Sequence, residues 1–320
     1  MKTLKDAGLR LKGDVILTFV VGELQGGVGT LATIRQGLRA DYFINAEPTD
    51  LQALTMHAAA FTFIIELTGI THHLSEREEA VDAIMAACDL IPRLNAMTFS
   101  GALSEEHRSI NRCHVGVVHG ALGRELAEWR PPQVADYVRL KGSCRYAPGQ
   151  TEKQVLADMR AVLGDLEHRF PGLKAVLTPE HQIGRPMMPT FEVRKDSPIV
   201  QAVNRAHRIV RGAPQPTGAI RPPGYYGTDA AHLQHAAGME GIVCGPGGRY
   251  NTMPDERVDI PDFLDMIRIY MLTMLQICEI HTQVAVAKEL ENIHHLQERF
   301  DAAAAGRPGE HAPRRARART

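Results

Sequence analysis

Residues 13–30 read GDVILTFVVGELQGGVGT, and this stretch decides which fold class the sequence favours. The apolar run 15–21 is rich in β-branched side chains and lies between Gly13 and Gly22, so it predicts a strand. A glycine-rich turn and a helical stretch follow, and residues 42–46 form a second apolar run. Continuous apolar strands separated by helices are typical of a parallel or mixed sheet covered on both faces. The beginning of the chain therefore predicts an α/β domain.

The middle of the chain has a different rhythm. Apolar and alternating runs predict strands and helices in the order βαββαβ, with strands at 61–67, 114–118, 134–146 and 173–177 and helices at 76–94 and 150–169. This order is that of the split βαβ fold. Ser75, with Glu78 three residues on, predicts a capping box at the start of the first of these helices.

The α/β character returns after about residue 180, with helices predicted at 197–211 and 261–280 and a strand at 241–244. The pattern predicts a discontinuous α/β domain that brackets an inserted βαββαβ lid, with a disordered, arginine-rich tail behind it. The predicted parts are 1–57 and 179–285 for the α/β domain, 58–178 for the lid, and 286–320 for a helix end and the tail. A site is expected at the carboxyl ends of the sheet strands, facing the lid.

Composition and charge exclude several classes of protein. The chain has 320 residues, with 36 Lys and Arg against 37 Asp and Glu, and a formal net charge of −1. This balance leaves no global basic field for nucleic acid or an anionic membrane. Five cysteines without a C-x-x-C pair are typical of reduced thiols. No apolar stretch is long enough to span a membrane or to serve as a secretory signal, so we expect a cytoplasmic protein.

Two carboxylates directly follow the first two predicted strands. Glu23 lies after the run 15–21, and Glu47 lies in Glu-Pro-Thr after the run 42–46. A carboxylate at the carboxyl end of a strand is a candidate general base or metal ligand. The alternatives are a helix-start charge for Glu23 and a plain turn acid for Glu47. Because both residues lie at strand ends, a shared site is favoured over either residue alone.

Histidines and glycine-rich turns supply weaker candidates. His72 and His73 lie in a predicted loop, where one could donate a hydrogen bond to an oxyanion or could simply be a surface residue. His232 and His235 lie three apart on a predicted helix, a spacing that permits metal ligation, although surface positions are favoured. The turn Gly227-Thr228-Asp229 opens that helix and is suited to close approach of an anion or carbonyl.

An ordered set of motifs resembles one known family. These motifs are GDVILTFVVGELQGGVGT, ADYFINAEPTD, GITHHLS, RYAPGQT, YYGTDAAHL and VCGPGGRYNTMPDERV. Together they resemble the acetylornithine deacetylase, succinyl-diaminopimelate desuccinylase and carboxypeptidase G family of co-catalytic metallohydrolases, over about residues 1 to 280. The resemblance implies a zinc-peptidase-like α/β domain with an inserted ferredoxin-like lid that usually dimerises. It also implies zinc, cobalt or manganese as the cofactor.

The resemblance implies roles for particular residues. Glu23 falls on the general base, and Glu47 falls on a metal-binding carboxylate. His73 falls on the lid histidine that reaches the partner subunit's site and stabilises the oxyanion. Arg145 falls on the lid arginine that binds a substrate carboxylate. A further substrate-binding loop is implied at Gly227, Thr228 and Asp229.

The sequence also departs from the family pattern. The family's His-x-Asp motif and bridging aspartate come before the helix with which this sequence begins, so those ligands are not in it. Leu24 stands where the family has a second glutamate. The family's late histidine aligns with residues 251–253, none of which is histidine. Glu47 is the one usual metal ligand that the sequence keeps, so we expect weak metal binding or none.

Two hypotheses about function follow. The first is a metal-dependent hydrolase of an amide bond in a small carboxylate-bearing substrate, such as an N-acyl amino acid or a peptide. The second is a truncated or non-catalytic dimerising relative that binds a small molecule without hydrolysis. A homodimer through the lid is expected in both cases, because strands around 113–118 and 61–67 are predicted to leave open sheet edges.

Overall fold

The computed structural model describes residues 1–281 except positions 129, 182, 183 and 252. Residues 286–320, predicted as a helix end and a tail, lie outside the described residues. The chain forms two compact units, one of residues 17–273 and one of residues 1–16 together with the described residues from 274 onward. The smaller unit begins with α1 (Lys2–Asp6), and Lys12 donates to Glu279 across 2.7 Å within it.

The larger unit alternates helices and strands. Its elements in chain order are α2 (Val28–Arg35), β1 (Tyr42–Asn45), β2 (Ala53–Leu54), β3 (Met56–His57), β4 (Ala59–Thr68), α3 (Ala83–Asn95), α4 (Glu105–Arg108), β5 (Arg112–Ala121), β6 (Tyr137–Tyr146), α5 (Glu152–Arg169), β7 (Lys174–Glu180), β8 (Phe191–Glu192), α6 (Pro198–Arg211), β9 (Thr217–Gly218), α7 (Ala230–Ala237), β10 (Glu240–Val243) and α8 (Ile260–Cys278, which continues into the smaller unit).

Three sheets organise these elements. A mixed sheet has the order β1-β10-β2-β9, with β1 parallel to β10 and β2 parallel to β9. A short antiparallel pair joins β3 to β8. A fully antiparallel sheet has the order β5-β6-β4-β7, and its chain order with α3 and α5 is βαββαβ. The predicted α/β class with an inserted ferredoxin-like sheet is confirmed.

The antiparallel sheet has one buried face and one open face. Burial alternates along β4, because Phe61, Phe63, Ile65 and Leu67 point into a core that also contains the apolar sides of α3 and α5. Gly142 lies opposite Phe63, and a Cβ there would come within 2.3 Å of the phenylalanine ring. The residues of alternate parity on β4 and β6 therefore form the open face.

The predicted strand at 15–21 is wrong. The described structure assigns no strand to these residues, and Phe19 is 94% exposed while Val21 is 79% exposed. An extended apolar segment becomes a strand only when another strand satisfies its backbone N–H and C=O groups. Val21 makes one backbone contact of this kind to Gly29, which is a local turn contact rather than a ladder.

The helix predicted at 76–94 is also wrong at its start. Leu74–Glu79 is a 3₁₀ turn, Ala80 is extended, and α3 begins at Ala83. The cap is Asp82, whose Oδ1 accepts from the backbone N–H groups of two residues in the first turn at 2.9 and 3.0 Å. Ser75 does not cap this helix, because its hydroxyl pairs with His73.

Other predictions agree with the described structure. The helix predicted at 150–169 is confirmed as α5, and it begins with a capping box in which Thr151 and Gln154 bond reciprocally. All five cysteines lie in described residues, and none forms a disulfide. Within the described residues, none of the helices is both long enough and apolar enough to cross a membrane.

Candidate active site

A glycine turn holds Glu23 at the start of α2. The backbone N–H of Gly26 donates to the Glu23 carbonyl at 2.8 Å, and Gly27 takes a left-handed φ of 74° as the residue before the helix. A Cβ on Gly26 would lie 2.1 Å from the Pro186 carbonyl oxygen, so the turn needs glycine there. Burial raises the pKa of the Glu23 carboxyl above its ordinary value, and the Asp229 carboxylate adds to this effect.

Glu47 lies at the carboxyl end of β1, as predicted. Gly245, at the end of the neighbouring β10, packs so closely that a Cβ would lie 2.4 Å from the Glu47 carbonyl oxygen. Burial, then the Glu23 carboxylate, then the Asp229 carboxylate raise the pKa of Glu47 to about 7. The electrostatic coupling indicates that the acid groups of Glu23 and Glu47 lie near each other.

The open face of the antiparallel sheet contributes the other side of the site. Ala60 and Thr62 of β4 lie opposite Arg145 and Ser143 of β6 in the ladder. All four residues line a cavity of about 510 Å³ together with Glu23 and Glu47. Burial lowers the pKa of the Arg145 guanidinium from its ordinary value, with a further contribution from Arg185. The cavity is thus lined by the carboxylates of Glu23 and Glu47 and by a largely buried cation from the antiparallel sheet.

The segment between β7 and β8 closes one wall of this cavity. Arg185, Pro186, Met187 and Met188 all line it. Pro186, Met187 and Met188, together with Tyr226, provide apolar surface beside the charged groups. No pattern in the sequence singled out Arg185, because it lies in a connecting segment without periodicity or a motif.

The loop predicted at residues 227–229 lies partly behind the cavity. Gly227 lines it, whereas Thr228 and Asp229 are 2% and 5% exposed and are not among the lining residues. Thr228 lies 3.1 Å from the Nε2 atom of His57. Asp229 accepts from the Thr30 hydroxyl at 2.7 Å, which joins the start of α7 to α2. In the described structure these two side chains support the cavity wall rather than face its interior.

His57 was not predicted as part of the site, and it is fully buried. Its Nδ1 lies 3.1 Å from the Ala58 carbonyl oxygen, and its ring stacks on Phe191. Because Nδ1 donates to that carbonyl, Nε2 accepts the hydrogen bond of Thr228. Burial lowers the pKa of His57 to about 4, so the imidazole is neutral at pH 7.

Three of the histidines considered as candidates lie in different environments. His232 is 5% exposed with Nε2 2.9 Å from the Gly26 carbonyl, so the favoured surface position was wrong for this residue. His235 is exposed, and its Nε2 lies 2.8 Å from the Thr190 carbonyl. His73 lies on the lid outside the cavity lining, where its Nδ1 accepts from the Ser75 backbone N–H. Its predicted role requires a second subunit and stays a prediction.

The discontinuous α/β unit, the inserted antiparallel sheet and a carboxylate-lined cavity between strand ends and lid define a hydrolase of the zinc-peptidase type in fold. The chain belongs to peptidase family M20/M25/M40, whose model matches residues 1–276. At the level of the family, the protein is a hydrolase of amide bonds.

Individual relatives are distant. The chain is 25% identical over 301 residues to the N-formyl-4-amino-5-aminomethyl-2-methylpyrimidine deformylase of Bacillus subtilis, which covers 87% of this chain and 67% of the relative. It is 25% identical over 172 residues to the acetylornithine deacetylase of Aliivibrio salmonicida, covering 52% of this chain and 42% of the relative. The chain thus spans about two thirds of the deformylase and less than half of the deacetylase.

Solved structures share the fold. A tripeptidase from Staphylococcus aureus superposes with a TM-score of 0.65 at 19% identity, covering 87% of this chain and 67% of that one. The aminopeptidase PepT from Bacillus cereus gives a TM-score of 0.64 at 18% identity, covering 86% and 67%. At this identity the likeness shows the fold and nothing about the substrate.

The donor set of this chain does not fit the divalent metal that the family implies. Among the described residues, no group of three or more His, Cys, Asp or Glu side chains comes together in a way that could hold a metal ion. Glu23 and Glu47 line the cavity, but Asp229 is hydrogen-bonded behind it. Leu24, which lines the same cavity, stands where the family resemblance implies a second glutamate, and Asn251, which also lines it, belongs to the stretch 251–253 that aligns with the family's late histidine. A closed metal coordination shell needs more donors than these.

Proposed function

We propose that the cavity binds a small carboxylate-bearing amide, such as an N-acyl amino acid or a short peptide, for hydrolysis of its C–N bond. The observation that carries the proposal is that Glu23 and Arg145 line the same cavity, one from the turn before α2 and the other from β6. Arg145 would bind the substrate carboxylate through its planar guanidinium. This places the amide carbonyl on the side of Glu23 and Glu47.

Glu23 is the proposed general base. Its raised pKa makes the carboxylate a better proton acceptor than an ordinary glutamate. It would take a proton from water as the water oxygen attacks the carbonyl carbon. The same carboxyl group would then give that proton to the amide nitrogen as the C–N bond breaks, which releases a carboxylic acid and an amine.

Amine release from N-acetyl and N-formyl amino acids tests this proposal, with and without added zinc, cobalt or manganese. We expect Glu23→Gln to lower any activity by about 100-fold or more, because general-base catalysis contributes that much. Arg160→Gln on the outer surface of α5 is the matched control. Activity that survives Glu23→Gln would remove Glu23 from its proposed role.

Metal binding is a separate proposal. We expect the purified chain to bind zinc, cobalt or manganese weakly or not at all, because Glu47 has too few partners among the described residues. Elemental analysis after dialysis measures this directly. Stoichiometric metal in the dialysed protein would contradict the expectation.

A second candidate function is binding without hydrolysis. The observation that favours it is the poor donor set, with Leu24 and Asn251 in the cavity where the resemblance implies ligands. Calorimetric binding of an N-acyl amino acid, without any amine release under all metal conditions, would support this candidate over the first.

A homodimer through the predicted lid, residues 58–178, remains our proposal for assembly. The strand 61–67 predicted to be at an edge is in fact interior, because β4 pairs with both β6 and β7. The edges are β5 and β7, and Val118 and Val176 on them are both 53% exposed. Pairing across a two-fold axis would satisfy such an edge. A light-scattering mass that stays at that of one chain at all concentrations would reject the dimer and the role of His73 in a partner's site.

A further inference from the structure

Two cysteines lie directly opposite each other in the antiparallel sheet. Cys113 is the second residue of β5, and the ladder pairs it with Cys144 near the end of β6. The Cys144 thiol donates to the Sγ atom of Cys113 across 3.6 Å. Both side chains belong to the core beneath the sheet, where Cys113 is 5% exposed and Cys144 is 0% exposed. The proposed reaction uses neither thiol.

The positions of the two residues suit a disulfide bond. Residues directly opposite in an antiparallel ladder have Cα atoms about 4.5 or 5.5 Å apart, depending on the type of pair. Both spacings lie within the range of about 4.4–6.8 Å that is usual for disulfides. Because the sulfur atoms are already 3.6 Å apart, a small rotation of each side chain brings them to the bond length of about 2 Å with the backbone in place.

Cys113 is the sulfur that an oxidant reaches first. It lies one residue inside the start of β5, which is an edge strand, and the pairing of β5 with β6 shifts register between Val115 and Val117. The ends of edge strands open locally more readily than interior strands. Cys144 lies on the interior strand β6, and its hydrogen bond to Cys113, together with burial, raises the pKa of its thiol above the ordinary value. A small oxidant that reacts first at Cys113 fits this environment.

We propose that Cys113 and Cys144 form a redox modification site, at which hydrogen peroxide converts the two thiols into a disulfide between β5 and β6. The sulfur of Cys113 attacks one peroxide oxygen, the O–O bond breaks, and a sulfenic acid and one water are formed. The sulfur of Cys144 then attacks the sulfur of Cys113, the S–O bond breaks, and a second water leaves. Together the two thiols lose two electrons and two protons, and hydrogen peroxide takes them up to become two waters.

The disulfide fastens the edge of the sheet next to the cavity. Cys144 lies between Ser143 and Arg145 in sequence, and both of these residues line the cavity. Arg112, which precedes Cys113, lies opposite Arg145 in the ladder. In the reduced chain, β5 is held to β6 by ladder hydrogen bonds and apolar contacts, and oxidation adds a covalent bond to them. We therefore expect the oxidised chain to open less often at β5.

Peptide mapping of the native chain after treatment with hydrogen peroxide tests the inference. N-ethylmaleimide blocks the remaining thiols as the protein is unfolded, and trypsin then releases residues 113–124 and 142–145 as two peptides with one cysteine each. We expect these two peptides to be linked about tenfold or more abundantly than any other pair of cysteine peptides. Dithiothreitol should separate them. Oxidation of the chain in urea should lose the preference, because the ladder no longer holds the two sulfurs together.

Three variants make the test specific. Cys113→Ser and Cys144→Ser should each abolish the linked pair of peptides, whereas Cys88→Ser, which removes an exposed cysteine of α3, should leave it unchanged. In the wild type and in Cys88→Ser, oxidation should slow hydrogen exchange along β5 by about tenfold or more. Circular dichroism shows whether the variants are folded, and the result with the wild-type chain does not depend on them.

The linked peptides, found in the native chain and lost on unfolding and in both core variants, would support the inference. Free thiols at both positions after peroxide has oxidised Cys88, a linked pair no more abundant than the others, or an irreversible sulfinic acid at Cys113 would each overturn it. Unchanged hydrogen exchange in the oxidised chain would overturn the fastening of β5.

Discussion

Two apolar segments of similar composition have opposite fates in this protein. Residues 15–21 and residues 61–67 are both short apolar runs with β-branched or aromatic side chains. The second is the middle of β4, paired on one side with β6 and on the other with β7. The first lies outside every strand in the described structure, and its Phe19 is 94% exposed.

The difference shows that an apolar β pattern gives a segment the tendency to form a strand, and that the strand forms only where a partner strand and a core surface are available. In β4, alternate side chains enter a core against α3 and α5, and the strand is paired with β6 along its whole length and with β7 from Thr62 onward. Residues 15–21 have the same tendency, but the described residues offer them no neighbouring strand. Strand propensity measures how well a side chain fits a pleated, half-buried surface, and such a surface exists only where partners are present.

The largest expected effect comes from truncating a phenylalanine in each segment. Phe63→Ala removes a ring that is 0% exposed and lies over Gly142, so we expect it to lower the free energy of unfolding by about 3–5 kcal/mol. Phe19→Ala removes a ring that has almost no contacts to lose, and its effect should stay within about 0.5 kcal/mol. Urea unfolding followed by circular dichroism measures both.

Both substitutions replace phenylalanine by alanine, so each variant is the control for the other. A loss of more than about 2 kcal/mol in Phe19→Ala would mean that residues 15–21 are packed in solution. That result would remove the contrast between the two segments, whereas a small effect at both positions would mean that the β4 core is not as buried as described.

A second, smaller effect concerns the buried imidazole of His57 at β3. Its pKa is lowered to about 4 by burial, so between pH 6.5 and 4 the unfolded chain binds a proton that the folded chain does not. The stability contribution is present above this range and is lost as the pH falls through it, by up to about 3 kcal/mol. His57→Gln should flatten this part of the curve of unfolding free energy against pH.

Titration of Glu47 changes the free energy of unfolding with pH in the opposite direction to that of His57, over an overlapping pH range. Because its pKa is raised to about 7, the folded chain holds a proton that the unfolded chain has lost, and this contribution disappears as the pH rises through 7. The test is therefore the difference between the wild-type and His57→Gln curves, measured by urea unfolding at several pH values. Parallel curves between pH 4 and 6.5 would contradict the described burial of His57.

The sequence predicted the regular elements better than the site. The alternation along β4 and the long helix α5 are local patterns, and both were found where predicted. Glu23 and Glu47 were singled out because each follows a strand-like run; both line the cavity, although only Glu47 follows an actual strand. Arg185 and His57 could not be found in this way, because only the fold brings a connecting segment to the cavity and places His57 of β3 against Thr228 behind it.

The smallest expected effect tests where the lid helix begins. The sequence favoured Ser75 as the cap, whereas in the structure Asp82 accepts from the backbone N–H groups of Ile84 and Met85. These donors have no partner within the helix, so losing the carboxylate leaves them to water alone. We expect Asp82→Ala to lower the free energy of unfolding by about 1 kcal/mol and Ser75→Ala to change it by a few tenths or less. Asp82→Asn should recover most of the loss, because its amide oxygen can still accept. If Ser75→Ala proved the more damaging variant, the helix in solution would begin at the turn before Ala80, and the α3 described here would be too short.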